Sequence, residues 1–386
     1  MRKKNIPGFS IDKVASKAGN DPDVLRMENL DTDLPPPESA VVATQLAVGR
    51  DEDNSYLPFT GKNTLRQTIA KQVNMYTGAN YVEDNIIITN GGTEGMLNAV
   101  LAILSPGDEV ILTDPTYAGM IQRVRMANGV PRLVPFKIVK GEWRLDLEIL
   151  EEKISPNTKA IFIMNPSMPT GAVLNFKEWE AITNLCKKHN LWLIYNAAME
   201  RILYENQQVI HPATFPGMAQ RTITIGSVSK EYRMIGWRIG WVISPDALIE
   251  DLVHAHLYNV VTPSGFSQVG AEAALNTSYD EFFFYLKIWE MRRNVVLSEL
   301  KDFKIIPALG GWSMVMDVSP LKMDAETASQ KLLEKGKVAV TPMTHWGMLN
   351  SKQFIRLVFS NESVERLKSL GDRFRGTFGN EGVFLI

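Results

Sequence analysis

The chain has 386 residues, of which 45% are hydrophobic and 22% are charged. This composition is typical of a globular protein and excludes a disordered or fibrous chain. The formal net charge of -2 gives no sign of the basic surface that nucleic acid or an acidic membrane would attract. The length predicts one large domain and a smaller one.

A single cysteine, Cys186, occurs in the sequence, so no internal disulfide can form and a reducing compartment is favoured. The basic first residues are not followed by the apolar segment that a secretory signal peptide needs. No apolar stretch approaches the length that spans a bilayer. We therefore expect a cytoplasmic protein without a membrane segment.

The first 45 residues are rich in proline near residues 33–39 and lack a strand–helix alternation. We expect this segment either to form an arm or to pack on a small C-terminal lobe. Further on, short apolar runs predict strands at 85–89, 109–113, 159–164, 191–195, 222–226 and 239–244. Amphipathic patterns, such as those at 95–104 and 177–189, predict the helices between them. Strands with almost no polar residues that alternate with helices predict an α/β fold, with a mostly parallel central sheet flanked by helices.

After about residue 285 the pattern changes. One long helix is predicted for FYLKIWEMRRNVVLSELKDF, followed by short strands at GGWSMVMDV and FIRLVFS with a helix between them. These elements predict a smaller α+β domain. We place the large domain at residues 46–285, and we assign residues 1–45 and 286–386 to the N-terminal arm plus the small C-terminal domain.

The segment GSVSKEYRMIGWRIGW contains Lys230 just after a predicted strand, between small residues. Taken alone, Lys230 fits a lysine with a buried stem and a solvated amine. Its neighbours suggest chemistry instead, because Arg238 supplies a planar fork suited to phosphate. A lysine with a lowered pKa can form a Schiff base with an aldehyde. An aldehyde that also carries a phosphate is pyridoxal 5'-phosphate (PLP).

This S-x-S-K pattern followed by G-W-R-x-G resembles the Schiff-base segment of class I/II aminotransferases, a family of fold-type I PLP-dependent enzymes. The resemblance covers essentially the whole chain. It implies the fold of a PLP-dependent transferase and a transaminase that acts on an α-amino acid and a 2-oxo acid. It also implies that the catalytic Lys230 holds PLP as an internal aldimine and moves protons during the reaction.

The resemblance further implies a phosphate site made from two segments. Ser227 and Arg238 match phosphate ligands of the family. In the motif ITNGGTEG a predicted strand leads into a helix, and the free N–H groups of a helix N-terminus bind phosphate readily. Gly92, Thr93 and the backbone of Glu94 are therefore further candidate ligands, although such a turn can also be purely structural.

Two tyrosines, an arginine and a tryptophan complete the resemblance. Tyr117 matches a ring that stacks on the cofactor, and Tyr56 matches a residue that reaches the phosphate of the neighbouring subunit, which implies a homodimer with shared active sites. Arg356 lies in an apolar predicted strand and matches the arginine that binds the substrate α-carboxylate. Trp312 matches a position at the substrate entrance. The alternatives are core packing for Tyr117 and Trp312 and a structural ion pair for Arg356.

Three positions depart from the family pattern. Met168 replaces the second asparagine of the family's N-P-x-N-P-T-G motif, Met199 replaces a tyrosine, and Asn196 replaces an aspartate. In the family this aspartate keeps the pyridine nitrogen of PLP protonated, so that the ring withdraws electrons. An amide can donate to an unprotonated nitrogen or accept from a protonated one, so the state of the ring stays open.

These departures allow three interpretations. The chain is a working transaminase that holds the ring differently, or it is a lyase, a cyclase or another PLP enzyme that does not transaminate, or Asn196 is an engineered change. The first is favoured because Lys230, the phosphate site and Arg356 are kept. No second arginine marks a dicarboxylate substrate.

The histidines of the chain give weaker signals. His254 and His256 would lie on nearly opposite sides of a helix and lack a third ligand, so we expect no metal site. His345 is expected near the substrate pocket. A DNA-binding regulator is not expected, since the family pattern begins within the first 30 residues and the charge is not basic.

Overall fold

The computed structural model describes residues 10–347 and 351–379. The α-helices in these ranges are α1 (Ser10–Ala18), α2 (Glu38–Val48), α3 (Asp51–Asn54), α4 (Asn63–Thr77), α5 (Gly91–Ile103), α6 (Ala118–Met126), α7 (Leu147–Glu152), α8 (Phe176–Lys188), α9 (Ile249–Asn259), α10 (Gly265–Leu275), α11 (Tyr279–Glu299), α12 (Ala325–Glu334), α13 (Val364–Leu367) and α14 (Leu370–Phe378). Short 3₁₀ turns lie at Glu83–Asn85, Pro212–Thr214, Ile235–Trp237, Asp246–Leu248, Ser319–Leu321 and Ser351–Gln353.

The β-strands in the same ranges are β1 (Leu25–Arg26), β2 (Ile86–Asn90), β3 (Glu109–Asp114), β4 (Val130–Val139), β5 (Glu142–Leu145), β6 (Thr158–Met164), β7 (Trp192–Asn196), β8 (Thr222–Ser227), β9 (Ile239–Ile243), β10 (Ile305–Ile306), β11 (Ser313–Asp317), β12 (Val338–Ala339), β13 (Thr341–Pro342) and β14 (Phe354–Val358).

The central sheet has the strand order β2-β9-β8-β7-β6-β3-β4-β5. Strands β8, β7, β6, β3 and β4 are parallel to one another, whereas β9 is antiparallel to both β2 and β8, and β5 is antiparallel to β4. Every residue of β3 and β8 is buried, which accounts for their apolar sequences. The prediction of a mostly parallel sheet flanked by helices is confirmed. Strands β4 and β5 were not predicted, and β4 is largely exposed or half-buried.

Local sequence signals explain where individual helices begin. The side chain of Asn175 accepts a hydrogen bond from the Glu178 backbone, and the Glu178 side chain accepts one from the Asn175 backbone, which forms a capping box for α8. Helix α8 then buries Trp179 and Cys186 in the core. Burial raises the pKa of the Cys186 thiol to about 12, so this cysteine serves packing.

The C-terminal part contains the antiparallel sheet β10-β11-β14-β13 and the long helix α11. Helix α11 begins earlier than its pattern predicts because the Ser278 side chain caps it by accepting from the Glu281 backbone. The N-terminal segment joins this part of the molecule: β1 pairs with β12, and Val14 and Val24 share an apolar cluster with Ala339. Residues 14–26 of this segment therefore pack on the small lobe, whereas Ala40 of α2 belongs to an apolar cluster with Leu65 and Ile69 of α4. The exact domain boundaries stay a prediction.

The carboxyl ends of the central strands lie together at one edge of the sheet. Strands β6, β7 and β8 end side by side at Met164, Asn196 and Ser227, and the antiparallel β9 begins at Ile239 beside Asn90, the last residue of β2. Ligands of open α/β sheets bind outside the carboxyl ends of the strands. Over the described ranges, no helix has the length and apolar character required to cross a membrane.

Candidate active site

A cavity of about 220 Å³ lies at this carboxyl edge. The end of the sheet, the N-terminal segment and the C-terminal part all contribute to its wall. The predicted site residues that line it are Gly92, Thr93, Tyr117, Met168, Asn196, Ser227, Lys230, Arg238 and Arg356. Residues widely separated in the sequence are thus brought together by the fold.

Lys230 follows β8 and places its amine inside the cavity. Its Nζ donates a hydrogen bond of 2.7 Å to the Leu30 carbonyl and lies 5.1 Å from the centre of the Trp312 ring. Burial lowers the pKa of Lys230 to about 8, and the positive charges of Arg238 and Arg356 act in the same direction. About one-tenth of this amine is therefore neutral, and hence nucleophilic, at pH 7, far more than for an ordinary lysine.

The glycine-rich start of α5 packs tightly against β9 and Arg238. A Cβ atom on Gly91 would lie 2.4 Å from Arg238 Nη2, and a Cβ on Gly240 would lie 2.4 Å from the Gly92 nitrogen. Gly91 also has φ +71°, a conformation that favours glycine. The first N–H groups of α5 and the Arg238 guanidinium therefore share one small space. We call this set of residues, Gly91 to Thr93 with Ser227 and Arg238, the anion cup.

Arg356 is fully buried on β14. Its Nη2 donates to the Glu28 carbonyl and, at 3.3 Å, to Thr341 Oγ1, while Nη1 lies 3.5 Å from Met168 Sδ. Its Nε has no hydrogen-bond partner among the described residues. Burial lowers the pKa of Arg356 to about 10, which still leaves it charged at neutral pH. The guanidinium can therefore receive a carboxylate from a ligand.

The three positions that depart from the family pattern lie in different surroundings. Asn196 lines the cavity, where its Oδ1 accepts a 3.1 Å hydrogen bond from the Ala198 nitrogen and its Nδ2 lies 3.4 Å from Met96 Sδ. Met168 lines the cavity beside Arg356. Met199 is buried in the core and is not part of the cavity wall, so its cofactor contact stays a prediction.

Three other predicted site residues do not line the cavity. The Glu94 side chain is buried and lies 2.6 Å from His256 Nδ1, which leaves only its backbone for the predicted role. Trp312 is fully buried, and its ring lies next to the Lys230 amine. Tyr56 is 87% exposed, which agrees with a residue that acts outside its own subunit but does not establish that role.

The remaining histidines are distributed as the helix pattern predicts. In α9 His256 is buried and His254 is exposed, so the two side chains face different surroundings. Within residues 10–347 and 351–379, no group of three or more potential metal ligands occurs. His345 lines a separate cavity with Lys13 and Glu326, and its neighbour Trp346 lines the candidate site, so the expectation of a position near the substrate pocket stays a prediction.

Several lining residues carry no signal in the sequence. They are Ile11, Asn29, Leu30, Met96, Met164 and Trp346. Leu30 meets Lys230 across 200 residues of sequence, a contact that no local pattern reveals. The apolar members of this set add aliphatic, thioether and indole surface to a wall that also carries cationic groups.

A family model described as aminotransferase class I and II matches residues 24–374 of this chain. The arginine–pyruvate transaminase AruH of Pseudomonas aeruginosa is 31% identical over 321 residues, which cover 82% of this chain and 80% of that protein. An aspartate aminotransferase of Pyrococcus horikoshii is 27% identical and covers 95% of this chain and 93% of its own length.

Solved structures show the same similarity. The N-succinyldiaminopimelate aminotransferase of Mycobacterium tuberculosis superposes with a TM-score of 0.91 at 28% sequence identity. The match covers 97% of this chain and 98% of that one. The similarity therefore extends over the central sheet, the small lobe and most of the N-terminal segment.

Proposed function

The chain belongs to the aminotransferase class I and II family and transfers an amino group between an amino acid and an oxo acid, and we propose that PLP bound around Lys230 is its cofactor. One observation carries this proposal. The amine of Lys230, with its pKa lowered to about 8, shares a single cavity with the anion cup and the buried Arg356.

The residues of the cavity fit PLP. The aldehyde of PLP needs a primary amine, which Lys230 provides. Its phosphate needs N–H donors and a positive charge, which the anion cup provides at the start of α5 and at Arg238. Its flat ring needs an apolar or aromatic wall, and Tyr117 and Met96 line the cavity.

Bound PLP supplies an electron-withdrawing system that makes the Cα proton of an amino acid removable. The side chains of the protein bind the substrate and transfer the proton. Arg356, whose Nε has no partner among the described residues, binds the α-carboxylate and so orients the amino acid. Once the amino group of the substrate had displaced it from PLP, the free Lys230 Nζ would be placed to accept the Cα proton as general base and to give it back as general acid.

We also propose that the active unit is a homodimer located in the cytoplasm. Tyr56 and Tyr258 are 87% and 86% exposed, so both rings are accessible to a second copy of the chain. Tyr56 then completes the anion cup of the second copy. The cytoplasmic location rests on the single buried cysteine, which suits a reducing compartment.

Reductive trapping tests where the cofactor binds. The protein is loaded with PLP, treated with borohydride and digested, and the modified peptide is identified by mass spectrometry. We expect one pyridoxyl group, on Lys230, and none on the Lys230→Arg variant, which keeps the charge but cannot form the Schiff base. Labelling of other lysines with equal efficiency in both proteins would contradict the proposal.

A further inference from the structure

The wall of the active-site cavity is positively charged. Lys230, Arg238 and Arg356 contribute three cationic groups, and among the described residues that line the cavity there is no aspartate or glutamate. The carboxylates that act on these cations from outside the wall belong to Asp31 and Glu28. A ligand with a protonated ring nitrogen would add one more positive charge to this cavity. Nearby like charges lower the pKa of such a nitrogen and so disfavour its protonated form.

One oxygen of each outer carboxylate is engaged elsewhere, and both groups lie outside the wall of the cavity. Asp31 Oδ1 accepts a 2.8 Å hydrogen bond from the next backbone nitrogen, and Glu28 Oε1 accepts from the Arg26 guanidinium at 2.6 Å. The aromatic side chains on the wall, Tyr117 and Trp346, contribute no carboxylate. No described group on the wall is thus placed to balance an additional cation.

The orientation of the Asn196 amide is fixed by its neighbours. A backbone N–H can only donate, so the 3.1 Å contact from the Ala198 nitrogen requires the Asn196 oxygen on that side. The amide nitrogen then faces Met96, whose sulfur at 3.4 Å is only a weak acceptor. Asn196 Nδ2 carries two hydrogens and is therefore free to donate to a stronger acceptor from the cavity.

We propose that Asn196 holds the pyridine nitrogen of bound PLP in its unprotonated form by donating a hydrogen bond from Nδ2. This inference rests on the proposed function, since it requires PLP in the cavity. In PLP the ring nitrogen lies opposite the aldehyde carbon and away from the phosphate arm, so it points away from Lys230 and the anion cup. Asn196 is a neutral donor on the remaining wall, at the end of β7.

This arrangement sets the electronic state of the cofactor. An unprotonated ring withdraws electrons less strongly than a pyridinium, so removal of the Cα proton depends more on the base Lys230. Replacement of Asn196 by the isosteric aspartate introduces the missing negative charge. An adjacent opposite charge raises the pKa of the ring nitrogen by about 1–3 units. Proton removal then becomes faster, on the order of 10- to 100-fold.

Nitrogen-15 NMR tests this proposal without relying on activity. PLP labelled at the ring nitrogen is bound to the wild type, to Asn196→Asp and to a matched control, Asn29→Asp, which adds the same charge elsewhere on the cavity wall. Pyridine and pyridinium nitrogens have well-separated chemical shifts. We expect a pyridine signal in the wild type and in Asn29→Asp at neutral pH, and a pyridinium signal in Asn196→Asp.

Each alternative result has a defined meaning. A pyridinium signal in the wild type overturns this inference but leaves the proposed function intact. A pyridinium signal in both aspartate variants shows that charge alone, and not the position of Asn196, sets the ring state, and this also overturns it. If the wild type takes up no PLP through Lys230, the proposed function fails, and the inference fails with it.

Discussion

Lys230 and Arg356 are cations in places where charge is costly. Burial lowers the pKa of both, to about 8 and about 10 respectively, because each is removed from water without a carboxylate in contact. The consequences differ, since the lysine titrates near physiological pH and the arginine does not. The same physical effect thus produces a nucleophile at one position and a permanent anion-binding group at the other.

The lowered pKa of Lys230 predicts how PLP uptake depends on pH. Only the neutral amine attacks an aldehyde, so the rate of uptake by the protein freed of cofactor should rise with pH and level off above about 8. An ordinary lysine would level off only above about 10.4. Stopped-flow absorbance over this range measures the profile. A rate that continues to rise tenfold per pH unit through pH 9 and beyond would contradict the effect of burial.

The anion cup depends on the close contact between helix α5 and strand β9. Gly240 lies on β9 between Thr89 of β2 and Ser227 of β8, and its missing side chain leaves room for the Gly92 nitrogen. The contact is between backbones, which cannot yield as a flexible side chain does. In the proposed PLP complex, the position of helix α5 and the binding of the phosphate are therefore coupled through one glycine.

The variant Gly240→Ala should weaken PLP binding at least about tenfold, since one misplaced charge-assisted hydrogen bond is worth about 1.5–3 kcal/mol. The matched control is Gly236→Ala, because a Cβ at Gly236 meets no atom within 4 Å. Equilibrium titration with PLP, followed by absorbance, measures both affinities. Equal affinities for the two variants would show that the α5–β9 contact does not shape the cup.

A buried carboxyl group connects β7 with α4. Tyr76 of α4 and Tyr195 of β7 donate to Glu200 at 2.8 and 3.2 Å, and burial raises the pKa of Glu200 to about 7, with the charge of Glu231 acting in the same direction. A carboxyl whose pKa is raised in the folded state stabilises the fold most below its unfolded pKa. This contribution is lost as pH rises through about 7.

The variant Glu200→Gln cannot ionise and should lose less stability between pH 5 and pH 8 than the wild type, by about 1–3 kcal/mol in the free energy of unfolding. Urea denaturation at both pH values measures the difference. The exposed residue Glu152 provides the control, since Glu152→Gln should behave as the wild type. If Glu200→Gln and the wild type lose the same free energy of unfolding between pH 5 and pH 8, the pKa of Glu200 is not raised in the folded protein, which contradicts this account.

At the scale of the whole molecule, the sequence predicted the central strands that are buried on both faces, and it predicted the site residues that lie in contiguous motifs. It did not predict β4 and β5, because their mixed exposure produces no continuous apolar run. It also missed Asn29 and Leu30, because their contact with the site depends on how the N-terminal segment packs. Met199 stands where the family motif has a tyrosine, and its side chain lies in the core, since a motif gives position along the chain and not the direction of a side chain.

The proposed homodimer, in which the exposed Tyr56 reaches the second copy, can be tested by mass and by PLP binding. Sedimentation should give about twice the chain mass of 43.3 kDa. In a dimer with shared sites, Tyr56→Phe should keep that mass and weaken PLP binding, because it removes only the hydroxyl that would reach the partner's phosphate. The exposed Tyr258→Phe serves as control. A monomeric wild type, or a PLP affinity that is the same in Tyr56→Phe and Tyr258→Phe, would contradict the shared site.

The central claim, that Lys230 and Arg356 serve amino-group transfer by PLP, is tested most directly by absorption spectra of one half-reaction. The holoenzyme is mixed with each of a panel of amino acids, with Lys230→Ala as control. We predict that some amino acids convert the PLP band into that of pyridoxamine phosphate with release of an oxo acid, that a 2-oxo acid restores the band, and that Lys230→Ala shows neither change. Release of ammonia or a cyclised product without pyridoxamine phosphate would contradict the account.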